Sequence, residues 1–206
     1  MTPRTVEQND AIRKQRIAQI RNTAVEVYLE KGMQMEMGDI ARKAGLGRGT
    51  VYHYYNNKLH LVEDLLLEAF EEAALVTAKT MQSSEPPLVR LEQYAALQLE
   101  SWLRQPFGYI LFKNWFHSEP IVVYYNDRLL ADFHARLYKP VLEAVEEGIR
   151  LGQIAAMQPS TTVSVFFAAL IGATGTYIGN KDSSSSTNRD EWIRDVTTVL
   201  FKGLQA

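Results

Sequence analysis

Apolar residues recur at steps of three and four along nearly the whole chain, and no stretch alternates long enough to form a strand. The pattern predicts an all-α fold. Ile17, Ile20, Ala24, Val27 and Tyr28 mark one stripe of a first helix, ended by Gly32, a residue suited to the left-handed conformation. Met37, Ile40, Ala41 and Ala44 give the i, i+3, i+4, i+7 spacing of a short second helix. The turn Ala44-Gly45-Leu46 leads to a third helix over residues 47–54. Asn56-Asn57 interrupts before a long fourth helix opens at Lys58, with Leu59, Val62, Leu65, Leu66, Ala69, Phe70 and Ala73 on one side. Ser83-Ser84-Glu85-Pro86-Pro87 ends that helix and is expected to separate structural units.

Leu88, Leu91, Ala95, Leu99 and Trp102 define a fifth helix that stops near Pro106, and a sixth covers residues 107–116. Residues 121–150 carry Leu130, Phe133, Leu137, Val141 and Val145 at helical spacing, and Pro140 within them is expected to kink or divide the helix. Two further helices, near residues 160–178 and 188–204, are joined by a polar loop, and Asn188 with Glu191 fits a helix-start box. About nine helices result. The eighth is rich in small residues, which let backbones approach closely, and the ninth has its own apolar stripe. Ala168, Gly172 and Gly175 of the eighth with Trp192, Val196, Val199 and Leu200 of the ninth have two readings: half of a four-helix dimer interface, or internal core.

The 206 residues, 46% apolar and 22% charged, have the composition of a globular protein and exclude disorder as the main state. Zero cysteines exclude disulfides, a thiol nucleophile and thiolate metal sites. The first ten residues are polar and lack the apolar stretch of a secretory signal, so a cytoplasmic location is expected. Residues 163–178 are too short for a membrane span and are interrupted by Ser164, Thr174 and Thr176, which favours a helix buried in protein. Charge is uneven. Residues 1–60 hold ten Lys/Arg against six Asp/Glu, and the other 146 hold twelve against eighteen. This suggests an N-terminal part that meets a polyanion, with an ordinary solvated face as the alternative.

Gly38 to Lys58, GDIARKAGLGRGTVYHYYNNK, has the logic of a helix-turn-helix. A short helix held by Ile40 and Ala41 crosses the DNA backbone, a glycine turn follows, and the next helix presents side chains to the major groove. Val51 should face inward, leaving Arg48, Thr50, Tyr52 and His53 outside. Arg pairs bidentately with guanine, Thr meets a thymine methyl or a phosphate, and Tyr and Lys bind phosphate oxygens. Gly49 permits close backbone approach.

On these residues, positions 13–67 resemble the DNA-binding domain of the tetracycline-repressor-type (TetR) family of bacterial regulators. The resemblance rests on Gly32, Asp39-Ile40-Ala41, Ala44-Gly45-Leu46, Gly49-Thr50-Val51-Tyr52, Tyr54-Tyr55 and Lys58. It implies a DNA-binding domain over residues 1–57, with the helix-turn-helix at about 36–55, and an effector-binding and dimerisation domain over 58–206. It also implies a homodimer whose recognition helices enter successive major grooves of a palindromic operator, with half-sites about 34–36 Å apart or somewhat more. Arg48, Gly49, Thr50 and His53 would then face bases or nearby phosphates, while Tyr52 and Lys58 hold the backbone. For Tyr52, partial core burial is the alternative. Arg4, Arg13, Lys14 and Arg16 form either an arm on the DNA or a solvated tail. Glu36 and Gly47 stand where the family places Ser or Thr caps, the loop after Gly32 is one residue shorter, and Tyr55 replaces Phe, so its hydroxyl needs a partner.

Residues 94–138 gather Tyr94, Trp102, Phe107, Tyr109, Phe112, Trp115, Phe116, Tyr124, Tyr125, Phe133 and Tyr138, more rings than a small helical core needs. Bundle pockets are apolar with a few polar groups, so Trp102, Tyr109, Phe112, Trp115 and Phe116 are candidates to bind an apolar or aromatic small molecule that releases a repressor from its operator. Glu100, His117, Glu119 and His134 could add polarity, and plain core remains the other reading. No cofactor, metal or catalytic residue is expected. His53, His60, His117 and His134 form no metal pair at helical spacing, and Gly45, Gly47 and Gly49 follow no strand and precede no Gly-Lys-Ser/Thr. A helical enzyme and a regulator without an effector stand as the alternatives.

Overall fold

The computed structural model describes residues 5–117, 127–180 and 188–203. Within them the regular structure is entirely helical: α1 (Val6–Lys31), α2 (Met37–Lys43), α3 (Arg48–Tyr54), α4 (Lys58–Met81), α5 (Pro87–Arg104), α6 (Pro106–His117), α7 (Asp127–Phe133), α8 (Lys139–Arg150), α9 (Pro159–Gly179) and α10 (Arg189–Lys202). The expected seventh helix is divided by a π turn at His134–Tyr138, where the Lys139 N–H donates to the His134 carbonyl. Pro140 explains the division: it has no N–H for the carbonyl four residues back, and the chain inserts a wider turn before it.

Helix ends follow local chemistry. The Thr5 hydroxyl accepts from the Gln8 N–H at 3.3 Å and the Gln8 side chain accepts from the Thr5 N–H at 3.1 Å, so α1 begins far ahead of its apolar stripe. Arg13, Lys14 and Arg16 therefore lie on helix α1 and form neither an extended arm nor a tail; Arg4 lies outside the described residues. At α2 the Glu36 N–H donates to Asp39 Oδ2 at 3.1 Å, which supplies the start that a Ser or Thr cap would give. Asn188 caps α10 through the Asp190 N–H at 3.1 Å, not through a box with Glu191.

The chain divides into two compact units, Met1–Leu67 and Glu68–Ala206. The boundary falls inside α4, ten residues beyond the expected one, because the first turns of α4 are tied to α1 and to the end of α3. Asp64 Oδ2 accepts from Arg21 Nη2 at 2.6 Å and from the Tyr55 hydroxyl at 2.6 Å, and Lys58 Nζ donates to the Met33 carbonyl at 2.8 Å. Ile20, Ala24, Met35, Ile40, Val51, Leu61 and Leu65 are buried in this unit. The expected linker at Ser83–Pro87 is a short turn inside the second unit, where Arg90 of α5 donates to the Met81 carbonyl at 3.0 Å and holds α4 and α5 together.

In the second unit α5 is the central helix and contacts α6, α8, α9 and α10. Phe133, Leu137, Val141 and Val145 continue one buried stripe through the π turn, as their spacing predicts. α9 buries Val163, Phe166, Phe167, Leu170, Ile171 and Thr174. α9 has 21 residues and is long and apolar enough to cross a membrane by length and composition, with a mean hydropathy of 1.5; Phe166, Phe167, Leu170 and Ile171 are buried and Val165 is exposed.

Burial first, then the bond to Asp64, pushes the Tyr55 phenol up to about 12. For Asp64, burial acts upward, but the hydrogen bonds from Tyr55 and Arg21 outweigh it and hold the carboxyl below its ordinary 3.8. A depressed carboxyl contributes stability that is complete above its unfolded value and is lost as pH falls through the folded one. Tyr55→Phe should therefore cost about 1 kcal/mol at neutral pH. In acid titrations followed by circular dichroism, Asp64→Asn should flatten the loss of stability below about pH 4, and a variant as acid-sensitive as the parent would show that this network is not the cause.

Candidate nucleic-acid interface and interior site

The helix-turn-helix is built by a glycine at the one place where it is required. Gly45 has φ 64°, the Leu46 N–H reaches the Ala41 carbonyl at 2.9 Å and the Gly45 N–H reaches the Arg42 carbonyl at 3.2 Å, the paired bonds of a Schellman end. Gln19 of α1 braces the same corner by donating to the Ala44 carbonyl at 2.9 Å. α3 then starts at Gly47, whose carbonyl accepts from the N–H groups of Thr50 and Val51 at 2.9 and 3.3 Å without a side-chain cap.

Along α3, Val51 is buried while Arg48, Gly49, Tyr52 and His53 are exposed and Thr50 is half-buried. Tyr52 is 48% exposed, which removes the core alternative for it. Arg48, Tyr52, Asn56, Asn57 and Lys58 line one open groove of about 450 Å³ with Gly38 of α2. Two determinants of this groove were not read from the sequence. Gly38 is the seat of Arg48: a Cβ on it would stand 2.9 Å from the Arg48 guanidinium. Asn57 caps α4 by accepting from the His60 N–H at 2.9 Å and so fixes where Lys58 emerges. Lys58 is partly committed, because its ammonium already holds the Met33 carbonyl and keeps two donors for other partners.

Several basic residues of the first sixty are paired locally. Lys31 lies 2.9 Å from Asp39, Lys43 pairs with Glu26 and Glu30, and Arg21 pairs with Asp64. Lys31 chiefly, and then the Glu36 N–H, hold the Asp39 carboxyl below its ordinary value. Arg48 forms no ion pair among the described residues, and it stands on the exposed face of α3.

In the second unit the candidate ligand residues converge. Trp102 meets Phe112 and Tyr109 at centroid distances of 5.0 and 6.2 Å, and Phe133 of α7 stacks on Trp115 at 3.8 Å. Phe167 of α9 meets Phe112 at 5.6 Å and Phe116 at 5.0 Å. Trp102 and Phe112 are fully buried; Tyr109, Trp115 and Phe116 are half-buried. Sequence reasoning did not include Phe167, whose ring joins the cluster across helices. Among the polar candidates Glu100 is half-buried and His134 is exposed against Tyr138, whereas Glu119, Tyr124 and Tyr125 lie outside the described residues. A separate groove of about 530 Å³ runs between α4, α5 and α8, but its arginines are engaged: Arg136 grips Glu71 with two bonds of 2.8 Å and Arg90 pairs with Glu147.

Of the candidate dimer residues, Ala168, Gly172 and Val199 are exposed and Trp192, Val196 and Leu200 half-buried, while Ile193 and Thr197 are the buried face of α10. Gly175 is turned the other way. A Cβ on it would stand 2.8 Å from the Tyr109 hydroxyl, so the missing side chain lets α6 close on α9 inside the unit.

A three-helix head with an exposed third helix, followed by a larger helical unit, has the architecture seen in helix-turn-helix regulators. Residues 20–65 match the family model for bacterial regulatory proteins of the tetR family. Over 55 residues the chain is 44% identical to the fatty acid metabolism regulator protein of Bacillus subtilis (strain 168), a match that covers 26% of this chain and 26% of that protein, so the match spans about a quarter of the relative's length. Its fold is similar to that of the MbdR regulator from Azoarcus sp. CIB, with a TM-score of 0.74 at 20% identity over 92% of this chain and 98% of that one. It is also similar to the regulator FadR from Bacillus subtilis in complex with stearoyl-CoA, with a TM-score of 0.60 at 20% identity over 91% and 99% of the two chains. By name, each of these proteins is a regulator.

Gly38→Ala should leave folding intact or slightly improved, since Ala favours a helix over Gly by about 0.5–1 kcal/mol, while displacing the Arg48 guanidinium. DNA affinity should fall with no loss of melting temperature. Unchanged affinity in a gel-shift titration would show that the seat has no part in DNA binding.

Proposed function

We propose that the chain acts as a homodimeric repressor that binds a palindromic operator through α3 of each protomer and is released when an apolar or aromatic small molecule enters the second unit. The observation that carries this reading is the groove where Arg48, Tyr52 and Lys58 meet on the exposed side of α3. Arg48, Gly49, Thr50 and His53 are the residues proposed to meet base edges or adjacent phosphates, and Tyr52 and Lys58 are proposed to hold the backbone. Because operator DNA is its partner, the protein is proposed to work in the cytoplasm.

The dimer reading is supported by the outward face of α9 and α10, where Ala168, Gly172, Val196 and Val199 leave small and apolar surface uncovered by the rest of the unit. The effector reading is supported by the ring cluster around Trp102 and Phe112, and by the stearoyl-CoA complex of the similarly folded Bacillus subtilis regulator. Release requires the effector to prefer one conformation over the other, because a ligand with equal affinity for both shifts nothing.

Binding to an operator selected in vitro should weaken steeply with salt, as phosphate neutralisation demands. Arg48→Ala should lose about 1–3 kcal/mol and relax the preference at one base position, whereas Lys58→Ala should weaken all sequences alike and flatten the salt dependence. The reverse pattern would exchange the two roles. Titrating stearoyl-CoA calorimetrically into free and operator-bound protein should give weaker binding in the second case, and equal affinities would remove the release mechanism.

A further inference from the structure

Polar side chains do not sit idle inside a helical core, because an unpaired buried donor or acceptor costs free energy that folding must recover elsewhere. α5 carries three large residues at successive i+4 positions on one buried face, Tyr94, Gln98 and Trp102, exposed by 0%, 1% and 0%. The Tyr94 hydroxyl is buried without a hydrogen-bond partner. Both amide atoms of Gln98, the indole nitrogen of Trp102 and the hydroxyl of the fully buried Thr174 on α9 have no hydrogen-bond partner in the described chain.

These groups lie on the buried faces of two neighbouring helices, α5 and α9. Tyr94 meets Phe166 and Phe167 at centroid distances of 6.0 and 6.1 Å, which fixes the level of α5 against α9. Eight residues further on both helices, Tyr109 bridges Trp102 at 6.2 Å to the space over Gly175. α5 and α9 are therefore neighbours at the level of Tyr94, Phe166 and Phe167, and Trp102 on α5 and Thr174 on α9 each lie about two turns, roughly 12 Å, beyond that level along their own helices. Phe112 and Phe167 supply apolar walls.

On the reading of this unit as the effector domain, we infer that Gln98, Trp102 and Thr174 recognise a neutral hydrogen-bonding group, such as a carbonyl, hydroxyl or amide, carried on an otherwise apolar effector. The donor set dictates the class. Gln98 offers a donor and an acceptor, Trp102 a donor and Thr174 either. The fully buried polar residues of the described second unit, Thr77, Thr80, Gln98, Ser101, Asn114, Thr174 and Thr197, are all neutral, and the nearest largely buried cation, Arg90 one turn before Tyr94, is already paired with Glu147, so a carboxylate or phosphate beside Gln98 would stay unpaired. A charged headgroup remains outside this site.

The test uses the full chain with 1-decanol, n-decane and decanoate as probes, followed by melting temperature and tryptophan fluorescence, in the parent, Gln98→Leu and Thr174→Val. The parent should bind 1-decanol in preference to decanoate. In Gln98→Leu the unliganded protein should melt higher, since an unpaired amide is gone, and the preference for decanol over decane should fall by about tenfold to a hundredfold. Thr174→Val should move both readouts in the same direction and serves if Gln98→Leu does not fold. An unchanged preference, decanoate binding as tightly as decanol, or a lowered melting temperature with ordered waters bridging the three side chains in a crystal would overturn polar recognition. In each of those cases binding of n-decane would leave the apolar effector site standing. If none of the three probes binds, both readings fall.

Discussion

A helix of seven residues has no independent stability in water, so α3 exists only because its neighbours hold it. Val51 and Tyr55 are the two points of attachment, buried on the inner side and separated by one turn. Tyr55 is anchored twice, by its ring in the core and by its hydroxyl on Asp64, which Arg21 of α1 grips in turn. With these two residues fixed, Arg48, Gly49, Tyr52 and His53 have no direction left but outward. The face proposed to read DNA is the complement of the buried one, and its geometry is only as fixed as the Tyr55–Asp64–Arg21 network.

The second unit solves the opposite problem. Its central helix is contacted by four others, and burial of large aromatic side chains, each contributing about 1.5–3 kcal/mol, dominates its stability. That surplus tolerates unpaired polar atoms at Gln98, Trp102 and Thr174. The glycines at 108 and 175 belong to the same arrangement. Each stands where a methyl group would collide with an aromatic side chain, the indole of Trp102 or the hydroxyl of Tyr109. Close approach of three helices is what brings those rings into one layer.

The π turn at His134–Tyr138 ties local sequence to this interior. Pro140 removes one backbone donor and the chain widens by a residue, yet Phe133 and Leu137 stay on the buried side with Val141 and Val145. Phe133 consequently reaches both Phe112 and Trp115.

Periodicity and glycine placement were enough to read the helices, the helix-turn-helix and the inward side of α3, because each depends on residues within one or two turns of each other. The aromatic candidates were legible as a composition excess, and Tyr94-Gln98-Trp102 could have been read as one stripe from its spacing alone. The partner of the Tyr55 hydroxyl, the seat of Arg48 on Gly38 and the inward turn of Gly175 could not, since each is a contact between helices far apart in the chain. The domain boundary inside α4 was hidden for the same reason: nothing in a continuous amphipathic helix marks where its neighbours change. Local spacing decides which side chains are buried, and only the closing of helices against one another decides what each buried group touches.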